Sequence, residues 1–215
     1  MSMKGLIVCG TDTDIGKTAI SALLVQGLNA TYWKPIQSGI IDGGDSSQVK
    51  KILNLSEKRL VPEAYIFKAA VSPHWAAELE GISIDLDNLN IPNIEEFLIV
   101  ETAGGLLVPL TRKILQIDLI KKWQLPVILV AKTGLGTLNH TLLSVEALRN
   151  RNIPILGLIL NGPNHKDNPK TLEDLTKLPL IANIPKFPKL NREDLANTWV
   201  EQNISAKLIR LLGNS

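Results

Sequence analysis

The residues best suited to chemistry lie near the start of the chain, in the segment Gly10-Thr11-Asp12-Thr13-Asp14-Ile15-Gly16-Lys17-Thr18. Glycines let backbone N–H groups turn toward an anion, and a helix that begins at the end of the segment adds the positive end of its dipole. A lysine and a threonine at this junction predict that Lys17 reaches the outer phosphates of a nucleotide and that Thr18 binds Mg²⁺. Five residues separate Gly10 from Gly16, one more than in the common form of such a loop. The alternative is a plain strand-to-helix turn whose Lys17 and Thr18 are merely solvated. A strand before the segment and a helix after it favour phosphate binding.

Two acidic residues could complete a metal site beside this loop. Glu101 ends an apolar run, in Glu101-Thr102-Ala103-Gly104-Gly105, and ligands collect where the strands of a parallel sheet end. Asp45 lies in Gly43-Gly44-Asp45-Ser46. Mg²⁺ is usually bound by one or two carboxylates together with phosphate and water. The sequence leaves open that Glu101 is a solvated acid and that Asp45 is a helix N-cap.

A second lysine, Lys34, follows a short predicted strand in Tyr32-Trp33-Lys34-Pro35-Ile36-Gln37-Ser38-Gly39. Pro35 favours an extended backbone at Lys34. At the same edge of the sheet as Lys17, it would bring a second cation to the phosphate site. The alternative is an ordinary surface lysine, as most lysines are.

Short apolar runs alternate with longer amphipathic stretches along the chain. Continuous apolar runs are typical of strands buried on both faces, and they occur at residues 6–9, 97–100, 126–130 and 155–160, with shorter candidates at 31–33 and 180–182. Helical periodicity predicts helices over residues 17–28, 46–53 and 137–150 and one long helix over 193–212. Residues 54–96 have no clear period, and we expect loops there with one short helix at 73–79. The alternation predicts a single three-layer α/β/α domain over residues 1–215 with a mainly parallel sheet.

Charge and composition limit the class of partner. The 215 residues carry a net charge of +2, which is too small to predict binding to nucleic acid or to an anionic membrane surface. No run of 18 apolar residues occurs, so we expect no membrane span. The single cysteine, Cys9, excludes an internal disulfide framework and a zinc knuckle, and it fits a reducing cytoplasm, where we expect the protein.

Five motifs occur in an order that resembles the dethiobiotin synthetase family. They are residues 10–18, Trp33 to Gly39, Gly44-Asp45-Ser46, residues 101–110 and Ile159-Leu160-Asn161-Gly162. The resemblance covers nearly the whole chain and implies a P-loop NTPase fold and an ATP-dependent cyclo-ligase. In that family 7,8-diaminononanoate takes up CO₂ to form a carbamate, which attacks the γ-phosphate of ATP and gives a carbamic–phosphoric anhydride. The second amine then closes the ring, and the products are dethiobiotin, ADP and phosphate.

The resemblance also implies roles for residues of this chain. Lys34 and Lys17 would be the catalytic lysines, while Ser38 and Thr11 would contact the diamine. Thr18, Asp45 and Glu101 would bind Mg²⁺. The residues expected to contact ATP are Asp14, Ile15, Gly16, Lys17, Thr18, Ala19, Asp45, Glu101, Thr102, Ala103, Gly104, Asn161, Gly162, Pro185, Lys186 and Phe187. Asn161 would read adenine, and Thr102 stands where the family usually has glycine.

The family is homodimeric, with the N-terminus of a helix of the partner subunit receiving the substrate carboxylate. The matching segment here is Gly134-Leu135-Gly136-Thr137-Leu138-Asn139-His140. A glycine-rich loop that enters a helix is a plausible anion site on its own physics. Without the family, a plain connection with an N-cap explains the segment equally well.

Two other functions remain open at this stage. The first is an ATPase switch of the partitioning or septum-positioning type, which shares the sheet but acts by binding partners or membranes. Such proteins carry a signature lysine early in the loop, where this chain has Thr11 and Asp12. The second is an amide ligase similar to the cobyrinate amidases, which needs a catalytic cysteine. Cys9, inside a predicted strand, is badly placed for that role.

Overall fold

The computed structural model describes residues 5–40, 43–187 and 189–213. The strands within these ranges are β1 (Gly5–Gly10), β2 (Thr31–Trp33), β3 (Ile36–Ser38), β4 (Leu60–Val61), β5 (Tyr65–Phe67), β6 (Leu98–Glu101), β7 (Val127–Lys132), β8 (Ile155–Asn161) and β9 (Leu180–Ile184). Seven of the described strands form one sheet in the order β4-β2-β6-β1-β7-β8-β9, and all its neighbouring pairs are parallel. The apolar runs are therefore confirmed as strands of a parallel sheet.

Helices cover both faces of this sheet. The described helices are α1 (Lys17–Gly27), α2 (Gly44–Leu53), α3 (Pro73–Leu79), α4 (Gln116–Trp123), α5 (Thr137–Arg149), α6 (Asn168–Thr176), α7 (Arg192–Glu201) and α8 (Ile204–Gly213). Apolar side chains of α1, α2, α7 and α8 pack in one core cluster, and those of α3, α4, α5 and α6 pack in another. Alternate residues of β1 point to the two clusters: Leu6 and Val8 to the first, Ile7 and Cys9 to the second. The expected three-layer α/β/α architecture is confirmed.

The order of the strands creates a crevice beside β1. The chain leaves β1 through α1 and continues into β2 on one side, whereas it leaves β6 through α4 and continues into β7 on the other. Connections that depart in opposite directions open a crevice at the carboxyl ends of the two strands, where ligands bind in such sheets. The segments singled out above at residues 10–18 and 101–105 both begin at this crevice.

Residues 54–96 contain more regular structure than their sequence predicts. The helix expected at Pro73–Leu79 is present, but β4, β5 and two 3₁₀ turns at Glu57–Arg59 and Leu86–Leu89 are additional. Strand β5 pairs in parallel with β3 to form a separate two-stranded sheet. Strands of two or three residues show no alternating pattern, and Pro62, between the short apolar runs Leu60-Val61 and Tyr65-Ile66-Phe67, favours a loop.

The single C-terminal helix predicted over residues 193–212 is wrong. The structure has α7 and α8 instead, with a break at Asn203, whose φ of 51° lies in the left-handed region. Asparagine tolerates that conformation better than most residues, so it ends a helix without strong strain. Helices α4 and α6 were also not predicted. Among the described residues, no helix combines the length and the apolar character needed to cross a membrane.

Candidate functional site

The loop between β1 and α1 is built to hold an anion. Asp14 and Gly16 have φ angles of 51° and 88°, so the chain turns sharply just before the helix begins at Lys17. A Cβ atom at Gly16 would lie 2.0 Å from Asn161 Nδ2, so Asn161 would have to move, and the φ of 88° would be strained for any residue with a side chain. No side chain caps the start of α1. The amides of its first turn are therefore available to a ligand, and the helix dipole favours a negative one.

Lys17 lies inside this loop. Its ammonium is largely buried and donates a hydrogen bond to the carbonyl oxygen of Asp12 at 2.8 Å. Burial lowers the pKa of Lys17 from its ordinary value, while the nearby Glu101 carboxylate works in the opposite direction. A carbonyl oxygen is a weaker partner for an ammonium than a phosphate oxygen is. The loop thus holds a cation that a phosphate group can recruit.

Lys34 is the centre of an ionic cluster at the same edge of the sheet. Its ammonium is 3.2 Å from Glu101 Oε1 and also pairs with the carboxylate of Asp45. Burial works to lower the pKa of Lys34, but the two carboxylates outweigh it and raise the pKa above its usual range. Lys34 is therefore a buried, protonated lysine and not a surface residue.

Asp45 and Glu101 reach this cluster from different elements. Glu101 is the last residue of β6 and is 1% exposed. Asp45 lies in the first turn of α2, where Gly43 and not Asp45 occupies the N-cap position. The N-cap alternative for Asp45 is therefore wrong. The Asp45 amide donates to Gln37 Oε1 at 3.1 Å, a contact that fixes the start of α2 beside the cluster.

The donors around Lys34 suit a magnesium ion. Thr18 Oγ1 donates to Glu101 Oε1 at 2.9 Å, so one hydroxyl and two carboxylates meet at one place. Magnesium prefers such oxygen donors and completes its shell with phosphate and water. Within the described ranges no group of three or more His, Cys, Asp or Glu side chains could hold a metal. The cluster thus fits an ion shared with a phosphate better than one enclosed by protein alone.

These groups line a cleft of about 800 Å³. The residues expected at the site whose atoms line it are Asp14, Gly16, Lys17, Thr18, Ala19, Lys34, Ser38, Asp45, Glu101, Ala103 and Gly104. The Oγ atom of Ser38 is buried and has no hydrogen-bond partner among the described residues. The cleft also extends over residues 70–73, and no pattern in the sequence indicates a role for them.

Three of the residues expected around the loop and the metal do not line the cleft with their side chains. Ile15 is 1% exposed and belongs to the apolar core, so its backbone alone faces the loop. The Thr102 hydroxyl points at the carbonyl oxygen of Val8, at 3.4 Å, and the residue does not adopt a positive φ. Threonine is thus accommodated where the family usually has glycine. Thr11 does not line the cleft either, and its amide donates to Val130 O at 3.0 Å.

The residues expected around adenine lie beside the loop and outside the cleft. Asn161, at the end of β8, donates from Nδ2 to the Ile15 carbonyl oxygen at 2.9 Å. Gly162 follows with a φ of 132°. The segment 185–187 comes directly after β9, whose Ile184 is in register with Asn161; Pro185 and Lys186 are exposed, and Phe187 is partly buried. The structure brings these residues to one edge, next to the loop between β1 and α1.

The segment Gly134–His140 forms the start of α5 at the carboxyl end of β7. Gly134 and Gly136 have φ angles of 109° and 88°, and no side chain caps the helix. The N-cap alternative is therefore not realised by a side chain. Leu135, between the two glycines, is fully exposed. The start of α5 therefore presents an exposed apolar side chain beside uncapped helix amides.

Sequence reasoning missed two polar residues that hold the cluster in place. Gln37 fixes the start of α2, as described above. Tyr32, which is fully buried, donates from its hydroxyl to Glu101 Oε2 at 2.9 Å. Burial raises the pKa of Tyr32 well above its usual range, and the negative charge of Glu101 adds to the effect. The one available signal was the spacing of Tyr32 and Lys34: if the chain stays extended past β2 as far as Lys34, both side chains lie on the same face of the sheet.

The chain is similar in sequence to known proteins over nearly its whole length. A protein-family profile described as an AAA domain matches residues 4–194. The ATP-dependent dethiobiotin synthetase BioD of Brucella anthropi is 44% identical over 198 residues, which cover 92% of this chain and 93% of that protein. The proteins of the same name from Rhodopseudomonas palustris strain HaA2 and Agrobacterium fabrum are 45% and 43% identical, covering 92% and 94% of this chain and 93% and 94% of theirs.

Solved structures support the fold alone. The pNOB8 ParA protein bound to nonspecific DNA superposes with a TM-score of 0.60 at 13% identity and 99% coverage of both chains. The MinC:MinD cell division complex of Aquifex aeolicus gives a TM-score of 0.57 at 16% identity, covering 98% of this chain and 95% of that one. Identities this low carry no information on activity. The sequence identities above 40% over nearly the full length do, and they show that the chain belongs to the dethiobiotin synthetase family.

Proposed function

We propose that the protein is an ATP-dependent dethiobiotin synthetase that converts 7,8-diaminononanoate, CO₂ or bicarbonate, and ATP into dethiobiotin, ADP and phosphate. The observation that carries the proposal is the convergence in one cleft of two buried lysines, Lys17 and Lys34, with the oxygen donors of Thr18, Asp45 and Glu101. Membership of the family supplies the substrates, and the cluster supplies the means to transfer a phosphoryl group.

The transfer of a phosphoryl group depends on positioning and on electrostatic stabilisation. In our proposal the amides at the start of α1 bind the phosphates of ATP, and Lys17 exchanges the Asp12 carbonyl oxygen for a phosphate oxygen. Lys34 stays protonated because two carboxylates surround it, so it stabilises negative charge that develops between carbamate and phosphate. Removing such a group from an active site typically costs about 100-fold in turnover.

A magnesium ion would be held by Thr18, Asp45 and Glu101. When bound beside the phosphates, such an ion neutralises charge on the transferring group. In the structure the Lys34 ammonium pairs with both Asp45 and Glu101. It therefore neutralises the same negative charge that a bound magnesium ion would neutralise. We infer that Lys34 and the ion compete for these oxygens when no nucleotide is present.

The diamine would bind at the opposite side of the cleft from the loop. The Ser38 hydroxyl is buried without a partner among the described residues, and an amine donor would satisfy it. Residues 70–73 add apolar surface that suits an alkyl chain. We keep Thr11 as a second contact to the substrate, made from the loop. For adenine we propose Asn161 and Gly162 together with residues 185–187.

We further propose that the protein is a homodimer. Leu135, and Leu143 one to two turns along α5, are 108% and 56% exposed, and the buried hydroxyls of Thr137 and Thr141 have no partner among the described residues. A second subunit would cover the leucines and bring the uncapped start of α5 to its neighbour's cleft, where it could bind the substrate carboxylate. A reaction that consumes ATP also favours a cytoplasmic location.

The test separates a ligase from an ATPase switch. Purified protein is incubated with MgATP and bicarbonate, with and without the diamine, and ADP release and the product mass are measured. We expect ADP release to depend on the diamine and to match dethiobiotin formation one to one. ADP released at the same rate without the diamine would reject the ligase and favour the switch. The amide-ligase alternative is already disfavoured, because burial raises the pKa of the Cys9 thiol to about 12.

A further inference from the structure

The buried hydroxyl of Tyr32 donates a hydrogen bond to the candidate metal ligand Glu101, on the side of the carboxylate away from the cleft. Tyr32 has no solvent-exposed surface, and its hydroxyl donates to Glu101 Oε2 at 2.9 Å. Tyr32 does not line the cleft, so it is not placed to touch nucleotide or diamine. A phenol at this depth costs free energy unless its hydroxyl is paired, and phenylalanine would fill the same space without that requirement. The hydroxyl therefore calls for an explanation.

The register of β2 and β6 explains how the contact arises. Tyr32 is the partner of Ile99, and Trp33 is the partner of Val100. Because side chains two residues apart lie on the same face of a sheet, Glu101 shares its face with Ile99 and therefore with Tyr32. The phenol of Tyr32 therefore extends along the sheet toward Glu101 and contacts its carboxylate on the side that faces the protein interior. Both residues are in the layer beneath α1, which carries Thr18.

The two oxygens of Glu101 have separate partners. Oε1 accepts from Thr18 Oγ1 at 2.9 Å and from Lys34 Nζ at 3.2 Å, and both of those residues line the cleft. Oε2 accepts from Tyr32, on the buried side. With Oε2 held, the carboxylate cannot rotate freely about its last torsion angle, and Oε1 stays directed at the cleft. Partners of this kind orient ligating carboxylates in metal sites generally.

We propose that Tyr32 is a positioning residue for the metal site, and that its hydroxyl orients Glu101 so that Oε1 is presented to Mg²⁺. This inference rests on the proposed function, because it takes Glu101 as a metal ligand. It predicts that Tyr32 affects metal affinity while leaving the chemical step intact.

The first experiment measures binding and not turnover. The affinity of Mg²⁺ for the complex with a non-hydrolysable ATP analogue is determined by titration calorimetry for the wild type and for Tyr32→Phe. We expect the variant to bind Mg²⁺ about tenfold more weakly, the lower end of the effect of losing such a partner. In turnover assays, half-saturation by Mg²⁺ should shift by a similar factor while kcat at saturating Mg²⁺ stays near the wild-type value.

The chain offers a matched control. Tyr65, the other tyrosine, also uses its hydroxyl in the fold: it accepts from the Asp85 amide at 2.8 Å, in the separate sheet of β3 and β5. Tyr65→Phe removes the same atom and should leave Mg²⁺ affinity unchanged. If Tyr32→Phe lowers the melting temperature but binds Mg²⁺ like the wild type, the hydroxyl is only structural and the inference is overturned.

Glu101→Gln distinguishes this inference from the function on which it rests. Unchanged Mg²⁺ affinity in Glu101→Gln would remove Glu101 from the metal site and overturn both the site assignment and the role of Tyr32. A loss in Glu101→Gln with none in Tyr32→Phe would overturn the role of Tyr32 alone. Should Tyr32→Phe not fold, the double variant Tyr32→Phe/Glu101→Gln avoids leaving Oε2 of a buried carboxylate without a donor. It should bind the ATP analogue at fixed Mg²⁺ as Glu101→Gln does, and a further loss would show that Tyr32 does not act through the carboxylate.

Discussion

Replacing Lys34 by methionine should convert a nucleotide-dependent metal site into one that binds Mg²⁺ alone. The change removes a buried ammonium, whose side chain is 6% exposed, and keeps a flexible chain of similar length in its place. The Glu101 and Asp45 carboxylates, 1% and 24% exposed at their side chains, then lose the ammonium that pairs with both of them. Buried carboxylates that lose their cationic partner are stabilised by binding either a proton or a metal ion.

The structure gives the size of the effect. Removing one partner of a buried ion pair costs about 3–5 kcal/mol, and because Asp45 is partly solvated we expect about 3 kcal/mol of lost stability without metal. Mg²⁺ should restore part of it. At ten times the dissociation constant, binding to the folded state contributes about 1.4 kcal/mol, or about 3–6 °C in the melting temperature of a chain this size.

Thermal unfolding without nucleotide, at increasing Mg²⁺, tests this reasoning. Lys34→Met should melt well below the wild type and rise with Mg²⁺, whereas the wild type should not respond, because Lys34 already neutralises the oxygens. Lys50→Met is the matched control, since Lys50 pairs with Glu57 on the surface and both are well exposed. It should change stability by less than about 1 kcal/mol and show no Mg²⁺ response. A Lys34→Met variant as stable as the wild type, or insensitive to Mg²⁺, would refute the proposed competition.

Three further outcomes follow from the geometry. Gly16→Ala should lose at least tenfold in affinity for an ATP analogue, because the new Cβ would collide with Asn161, whereas Gly81→Ala, at a φ of 65° with nothing within 4 Å, should not; equal affinities in the two variants would argue against the fit of the loop. Cys9 should resist iodoacetamide at pH 9 in the native protein and react once the chain is unfolded, because burial raises its pKa to about 12; prompt labelling of the native protein would contradict that burial. Leu135→Asp should shift a dimer to a monomer in analytical ultracentrifugation, and an unchanged sedimentation coefficient would place the interface elsewhere.

The parts of the site that the sequence predicts are those encoded by neighbours in the chain. The loop at residues 10–18 was identified because glycine, lysine and threonine occur together between a strand and a helix. The pairing of Lys34 with Asp45 and Glu101 was not identified. These residues lie in three segments of the chain, and how close the segments come in space depends on the strand order. Periodicity shows which face a residue occupies within its own strand and says nothing about which strand lies beside it.

The elements of the fold likewise divide into those that a local sequence pattern predicts and those that it does not. The long strands follow from continuous apolar runs of four to six residues, and the helices at residues 17–28 and 137–150 follow from helical periodicity over twelve to fourteen residues. The break at Asn203 depends instead on one residue taking a left-handed conformation, and the helical periodicity continues through it. The strands β3, β4 and β5 are too short to carry a pattern and exist because neighbouring strands offer hydrogen bonds.

The proposed chemistry of the site depends on a single register, that of β2 against β6. Tyr32 and Lys34 face one side of the sheet and meet Glu101, while Trp33 faces the other side. A slip of one residue would move Tyr32 and Lys34 away from α1, since the side chains of a strand alternate between faces. Trp33 opposes such a slip: its ring packs against Trp123 with centroids 5.9 Å apart, and its Nε1 donates to Pro62 O at 3.1 Å. The indole thus holds the strand from the opposite face. The fold shared with partitioning and cell-division ATPases does not by itself provide this arrangement, because it depends on which side chains β2 carries and on what holds β2 in place.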